Sequence, residues 1–191
     1  MPQTQTAPTE LGSESIGILL KKYAVPGIIA MTASSLYNMV DSIYIGHIPG
    51  SGSLAISGLA VTFPLMNLAA AFGSLVGVGA ATLVSMRLGQ RDYETAQRIL
   101  GNVVVLNLII GISFGLLTLV FLDPILYFFG ASDATIGYAR EYMSVILWGN
   151  VVTHMYLGLN AVLRAAGHPR KAMYATILTV TINAILDPLF I

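Results

Sequence analysis

The chain has 191 residues, 55% of them hydrophobic and only 9% charged, with a mean hydropathy of +0.78. A soluble domain is usually about a quarter charged, so lipid rather than water must cover this one. Nine basic and nine acidic side chains cancel, which gives nucleic acid no field to follow, and the absence of Cys excludes disulfides, a thiol nucleophile and a thiolate metal site.

Residues Met1 to Ser15 are polar, rich in Thr, Gln, Pro and Ser, and read as a disordered tail. They carry no positive charge, and the apolar run that follows is too long for a signal-peptide core, so it reads as a retained membrane helix. Ile16 to Lys22 suits a short helix on the membrane surface. The first span is expected at about residues 23–46, enough to cross a bilayer at ~20 residues per crossing. Pro26 falls in its first turn and bends the helix if the helix continues from the segment before. His47 to Ser53, with Pro49, Gly50 and Gly52, reads as a turn.

The second span lies within residues 54–86, 33 residues without a charge. Pro64 should kink it, and Gly73, Gly77, Gly79, Ala80 and Ala81 offer a small-residue face for close helix contact. A third span is expected at 99–122, broken by Asp123-Pro124 and followed by the interfacial aromatics Tyr127, Phe128 and Phe129. Gly130 to Tyr138 reads as a loop with a Ser132 cap. The fourth span is expected at 142–163. After the basic turn Gly167-His168-Pro169-Arg170-Lys171, a fifth occupies 172–191 and is still apolar at Ile191. The fold class is therefore an all-α integral membrane protein of five transmembrane helices, expected to be the front part of a longer chain.

Eight of the nine basic residues fall on one side of this topology, and only Arg140 falls on the other. The positive-inside rule then makes the amino terminus cytoplasmic and sends odd-numbered spans outward. A multi-pass membrane protein with a cytoplasmic amino terminus follows.

Two carboxylates lie within the spans. Asp41, in Tyr37-Asn38-Met39-Val40-Asp41-Ser42, is the only acidic residue between Lys22 and Asp92. Asp187 lies in Asn183-Ala184-Ile185-Leu186-Asp187-Pro188, with Asn183 one turn before it on the same face. At ~1.5 Å per residue Asp41 stands roughly 27 Å, and Asp187 roughly 22 Å, above the cytoplasmic ends of their spans. Both helices run outward, so the carboxylates reach similar depth. An unpaired carboxylate in hydrocarbon costs several kcal/mol, so each must face protein or a wet cavity.

The bland reading is that each carboxylate bonds a neighbouring helix. The functional reading is that two carboxylates and an amide at one level form a hard-oxygen Na⁺ site or a shared proton site. Tyr37, one turn before Asp41, is placed to bond it or simply to pack. Asn160 suits either the site or a backbone bond. His154 has no second ligand at metal spacing and reads as a helix–helix hydrogen bond. Soft side chains suit varied ligands, but the eight Met residues read first as packing. There is no phosphate-cradling loop and no zinc-protease cluster, and the chain reads as no enzyme and as needing no cofactor beyond a coupling ion.

Pro26…Tyr37-Asn38-Met39-Val40-Asp41-Ser42…Gly46, Arg87-Leu88-Gly89, Gly158-Leu159-Asn160-Ala161-Val162-Leu163-Arg164-Ala165-Ala166-Gly167 and Asn183-Ala184-Ile185-Leu186-Asp187-Pro188 together resemble the multidrug and toxic compound extrusion (MATE) family, nearest its bacterial multidrug-export branch. The resemblance implies a twelve-helix antiporter of two six-helix lobes, of which these five helices form most of one. It implies an amino-lobe cation or proton site at Asp41, Asn183 and Asp187, with Asn160 from the fourth helix, and bending of the first helix at Pro26. The expected activity is export of cationic amphiphilic drugs in exchange for Na⁺ or H⁺, by a protein that is a monomer when whole. The alternatives are a flippase for a lipid-linked precursor, disfavoured by the lack of a mid-span basic residue, and a non-transporting membrane assembly protein.

Overall fold

The computed structural model describes residues 14–47 and 52–190, with side chains through 185. Most of the polar tail and the Pro49-Gly50 turn lie outside the described residues. The described residues form six helices: α1 (Ile16–Gly46), α2 (Gly52–Gly89), α3 (Tyr93–Val120), the short α4 (Leu122–Phe128), α5 (Ile136–Ala165) and α6 (Pro169–Phe190). Four of them, α1, α2, α3 and α5, are long and apolar enough to cross a membrane. The 22 residues of α6 extend about 33 Å, also a bilayer's thickness.

Several boundaries differ from the sequence expectation. No separate surface helix precedes the first span, because α1 runs unbroken from Ile16 and places Pro26 well inside it. Pro26 therefore removes a backbone bond that would have reached the Lys22 carbonyl, the circumstance in which proline bends a helix. The break after α3 falls at Phe121, not at Asp123-Pro124. Those two residues open α4, where a proline in the first turn forfeits no helical hydrogen bond. The loop before the fourth span ends early, since α5 begins at Ile136 behind Thr135. Ser132 joins Thr135 there: its backbone N–H donates to Thr135 Oγ1 at 2.9 Å.

The core is built from small side chains. Along α2 the buried positions are Ala55, Gly58, Thr62, Leu65, Ala69, Gly73, Gly77, Ala80 and Val84, spaced three or four apart on one helical face. The large side chains of the same helix, Phe63, Phe72, Leu75, Val78 and Leu83, point outward. Lipid tails are as apolar as Leu, so nothing drives bulky residues inward, and small ones let backbones approach. Of the small-residue run, Gly73, Gly77 and Ala80 meet the core. Gly79 lies off that face, with no atom within 4 Å of where its Cβ would sit.

α2, α3 and α5 pack together as the central sub-bundle, and α1 packs chiefly along α6. At one end of the sub-bundle, Leu65, Leu122, Leu126, Ile136, Met143 and Leu147 seal α4 against α2 and α5. At the other, Val84, Val103 and Val162 close the same three long helices.

An ion pair holds α4 to α5. Arg140 Nε donates to Asp123 Oδ1 at 2.7 Å and Nη2 donates to Oδ2 at 2.5 Å, a two-pronged fit of guanidinium and carboxylate. The Arg140 hydrogen bonds hold the Asp123 carboxyl below its ordinary pKa, against a smaller opposing effect of desolvation. Because the folded pKa is the depressed one, the stabilisation is present above the unfolded pKa and fades as pH falls through the folded one. Arg140→Gln is therefore expected to lower the melting temperature of the solubilised protein at neutral pH. Its deficit should hold down to the ordinary carboxylate pKa of about 4 and shrink only as pH falls further, through the depressed folded pKa, as measured by thermal unfolding across a pH series. An equal deficit at every pH would show that the pair does not stabilise the fold.

Candidate functional site

α1 turns a narrow stripe toward the protein: Pro26, Ala30 and Ile45 are buried, and Ala33, Ser34, Tyr37, Val40 and Asp41 are half-buried. The spacing repeats every three or four residues, so Pro26, Tyr37 and Asp41 share one face. Met31, Leu36, Met39 and Ile43 take the opposite, exposed face. Helical phase thus resolves the cost of Asp41: the carboxylate points off the lipid side, and neither it nor Tyr37 is without a partner. Beside it, Ser42 Oγ donates to the Asn38 carbonyl at 2.9 Å. Such back-bonding loosens the local helix and favours a bend.

α6 brings the complementary stripe. Ala172 and Thr176 are buried, Val180 and Asn183 are half-buried, and all four recur on one face. Asp187 continues that progression one turn beyond Asn183 in helical backbone, and its side chain lies outside the described residues. Since α1 packs along α6, the faces bearing Asp41 and Asn183 belong to one helix pair. Among the described residues no group of three or more His, Cys, Asp or Glu gathers to hold a metal.

Asn160 is placed elsewhere. It is buried, and its Nδ2 donates to the Ala172 carbonyl at 3.1 Å and to Thr176 Oγ1 at 3.5 Å. Thr176 gives its own proton to the Ala172 carbonyl at 3.1 Å, so the 2.6 Å contact with Tyr156 is donated by the Tyr156 hydroxyl. This cluster stitches α5 to the start of α6, roughly three turns below Asp187. Asn160 therefore anchors the helix that carries Asn183 and does not stand level with it.

A second polar layer had no counterpart in the expectations from sequence. Asn107 of α3 and Asn150 and His154 of α5 are buried to within 2% of complete. Asn150 Nδ2 donates across to the Gly111 carbonyl of α3 at 2.9 Å. His154, expected to bridge helices, bonds its own helix instead: Nδ1 lies 2.9 Å from the Asn150 carbonyl. The available signal was the i, i+4 pair Asn150 and His154, with Asn107 in the apolar middle of α3.

The relatives of this chain account for the arrangement. The MatE family model matches residues 26–189, nearly the whole described bundle. The chain belongs to the MatE family. This MatE chain is 29% identical over 177 residues to the multidrug export protein MepA of Staphylococcus haemolyticus, covering 93% of itself and 39% of that protein. MepA of Staphylococcus aureus is 28% identical over 169 residues, at 88% of this chain and 37% of the relative.

Among solved structures, the outward-facing conformation of a multidrug resistance MATE family transporter superposes with a TM-score of 0.82 at 27% identity. That likeness covers 90% of this chain and 37% of the other. A MATE transporter in its straight conformation gives a TM-score of 0.82 at 28% identity, covering 90% and 38%. The chain thus spans well under half the length of the proteins it matches. It is a multi-pass membrane protein with the helical fold of MATE transporters.

Proposed function

We propose that these helices form one lobe of a multidrug efflux antiporter of the bacterial inner membrane, with the amino terminus in the cytoplasm. The protein would export cationic amphiphilic compounds in exchange for Na⁺ or H⁺, and it carries out no covalent chemistry. The observation that supports this reading is the α1–α6 pair: Asp41 lies on the half-buried stripe of α1, and α1 packs chiefly along the helix whose sequence bears Asn183 and Asp187. Multidrug export by the MepA relatives supports the substrate class.

The pair suits coupling for a physical reason. A carboxylate kept from water is costly as an anion and is stabilised by a proton or a cation. The helix that carries it contains Pro26, which leaves it open to bending, and a Ser42 back-bond to its own backbone; it packs mainly on α6 rather than on the central sub-bundle. Binding and release of the ion can therefore bias one helix pair while α2, α3 and α5 stay fixed. Alternating access by rocking of two lobes needs such a coupled element.

The test uses the complete protein in inverted membrane vesicles loaded with a fluorescent cationic dye. Dye movement should follow an imposed Na⁺ or H⁺ gradient and collapse when an ionophore dissipates that gradient. Movement that ignores both gradients would overturn the proposal.

A further inference from the structure

Two polar atoms inside the central sub-bundle have no hydrogen-bond partner among the described residues: Asn107 Oδ1 and His154 Nε2. Each residue is fully buried. Leaving such an atom unpaired forfeits its hydration with nothing in return, so native structures supply a partner.

The hydrogen bonds already made fix what that partner must be. A backbone carbonyl only accepts, so the 2.9 Å contact of His154 Nδ1 with the Asn150 carbonyl puts the imidazole proton on Nδ1. In the neutral ring, Nε2 is then a bare lone pair. The Asn107 amide is fixed in the same way: its Nδ2 donates to the Val103 carbonyl at 3.0 Å, and a flipped amide would set oxygen against oxygen. Its Oδ1 is therefore an acceptor as well. Two acceptors cannot satisfy one another, and both require hydrogen from outside.

They also lie close together. Asn107 and Gly111 are one turn apart on α3, and His154 and Gly158 are one turn apart on α5. Asn107 abuts Gly158, where a Cβ would collide with its Nδ2 and come within 3.3 Å of Oδ1. Gly111 abuts His154, where a Cβ would lie 3.5 Å from the imidazole Cγ. From α2, Gly73 approaches the ring edge next to Nε2, and a Cβ there would be 3.3 Å from Cδ2. One helical turn is about 5.4 Å. A water that donates two hydrogen bonds of about 2.8 Å each, at roughly the tetrahedral angle, reaches two acceptors about 4.5 Å apart, within one such turn.

We propose that a single buried water bridges Asn107 Oδ1 and His154 Nε2, donating one O–H to each and tying α3 to α5 beneath the glycines of α2. Water has the two donors in a compact body that the site requires. The other source of hydrogen, a second proton on the imidazole, would create a cation. Residues 54–86 of α2, 101–120 of α3 and 142–163 of α5 contain no carboxylate to pair with it. Together with the Asn150–Gly111 bond, the bridge holds α3 to α5, while Asn160 and Tyr156 tie only the start of α6 to α5.

The experiment is solid-state NMR on the full-length protein labelled with ¹⁵N-histidine in lipid nanodiscs, with His154 assigned by the signal lost in His154→Phe. The expected spectrum shows a ring with its proton on Nδ1 and Nε2 accepting a hydrogen bond. It also shows a through-space contact between Nε2 and a water proton that exchanges slowly with bulk. A proton carried on Nε2, or an Nε2 without a water contact, overturns the proposal. In folded Asn107→Leu the water contact should be lost, and its persistence unchanged would overturn the bridge. If Asn107→Leu does not fold, the wild-type spectrum alone decides.

Discussion

Asp41→Asn in the complete transporter is expected to reduce ion-driven efflux by about tenfold or more, within the roughly 5- to 150-fold range of ordinary coupling free energies. The substitution keeps the size of the side chain and one acceptor oxygen, so the half-buried inward stripe of α1 stays packed. It removes the negative charge that draws a cation and the group that takes up a proton. Binding of the dye alone should survive, because dye recognition and ion coupling are separate contributions. Asp187→Asn should behave alike if the two carboxylates share the ion.

Tyr37→Phe should cost less, since a phenol one turn away can only assist the carboxylate. Dye efflux by each variant, normalised to folded protein in the membrane, decides the matter. Efflux near the wild-type level in both carboxylate variants would remove Asp41 and Asp187 from the coupling mechanism.

Gly77→Ala should lower stability more than a methyl added at any other glycine in the interior of α2. A Cβ at Gly77 would sit 2.6 Å from Gly158 Cα and 3.0 Å from its carbonyl oxygen. Both are backbone atoms, which no side-chain rotation can clear. The helices must part, and overpacking of this kind costs about 1–3 kcal/mol, sometimes more. The separation also opens the Asn150–Gly111 bond and the Asn107 environment next to it.

Gly79→Ala is the control. Its Cβ meets nothing within 4 Å, and Ala favours helix by about 1 kcal/mol over Gly. It should be neutral or stabilising. Thermal unfolding in detergent, followed by a tryptophan-independent probe such as light scattering, separates the two. Equal melting temperatures for Gly77→Ala and Gly79→Ala would show that close α2–α5 packing does not hold the sub-bundle.

These two expectations differ in how far they could be read without coordinates. Asp41 and Asp187 stood out in the sequence because charge in an apolar span is rare, and lipid makes each such residue conspicuous. Hydropathy located the long helices for the same reason: every backbone group in a bilayer must be satisfied locally, so an apolar run of that length has to be helix. The glycines of α2 were visible only as a cluster. Gly77 and Gly79 are two residues apart and look equivalent, yet helical phase turns one onto α5 and the other away.

Sequence alone therefore determined the membrane class, the helical architecture and the candidate carboxylates, because each follows from the bilayer as solvent. Tertiary structure decided which residues meet. It carried α1 unbroken past Pro26, because a proline forfeits one bond while the rest of a membrane helix has no water to turn to. It moved Asn160 to the foot of α6, because its amide finds a carbonyl and a hydroxyl there. It also gathered Asn107, Asn150 and His154 into one buried layer from residues 43 and 4 apart in the chain. Such a layer depends on the rotation of three helices about their own axes, and only their mutual packing sets that rotation.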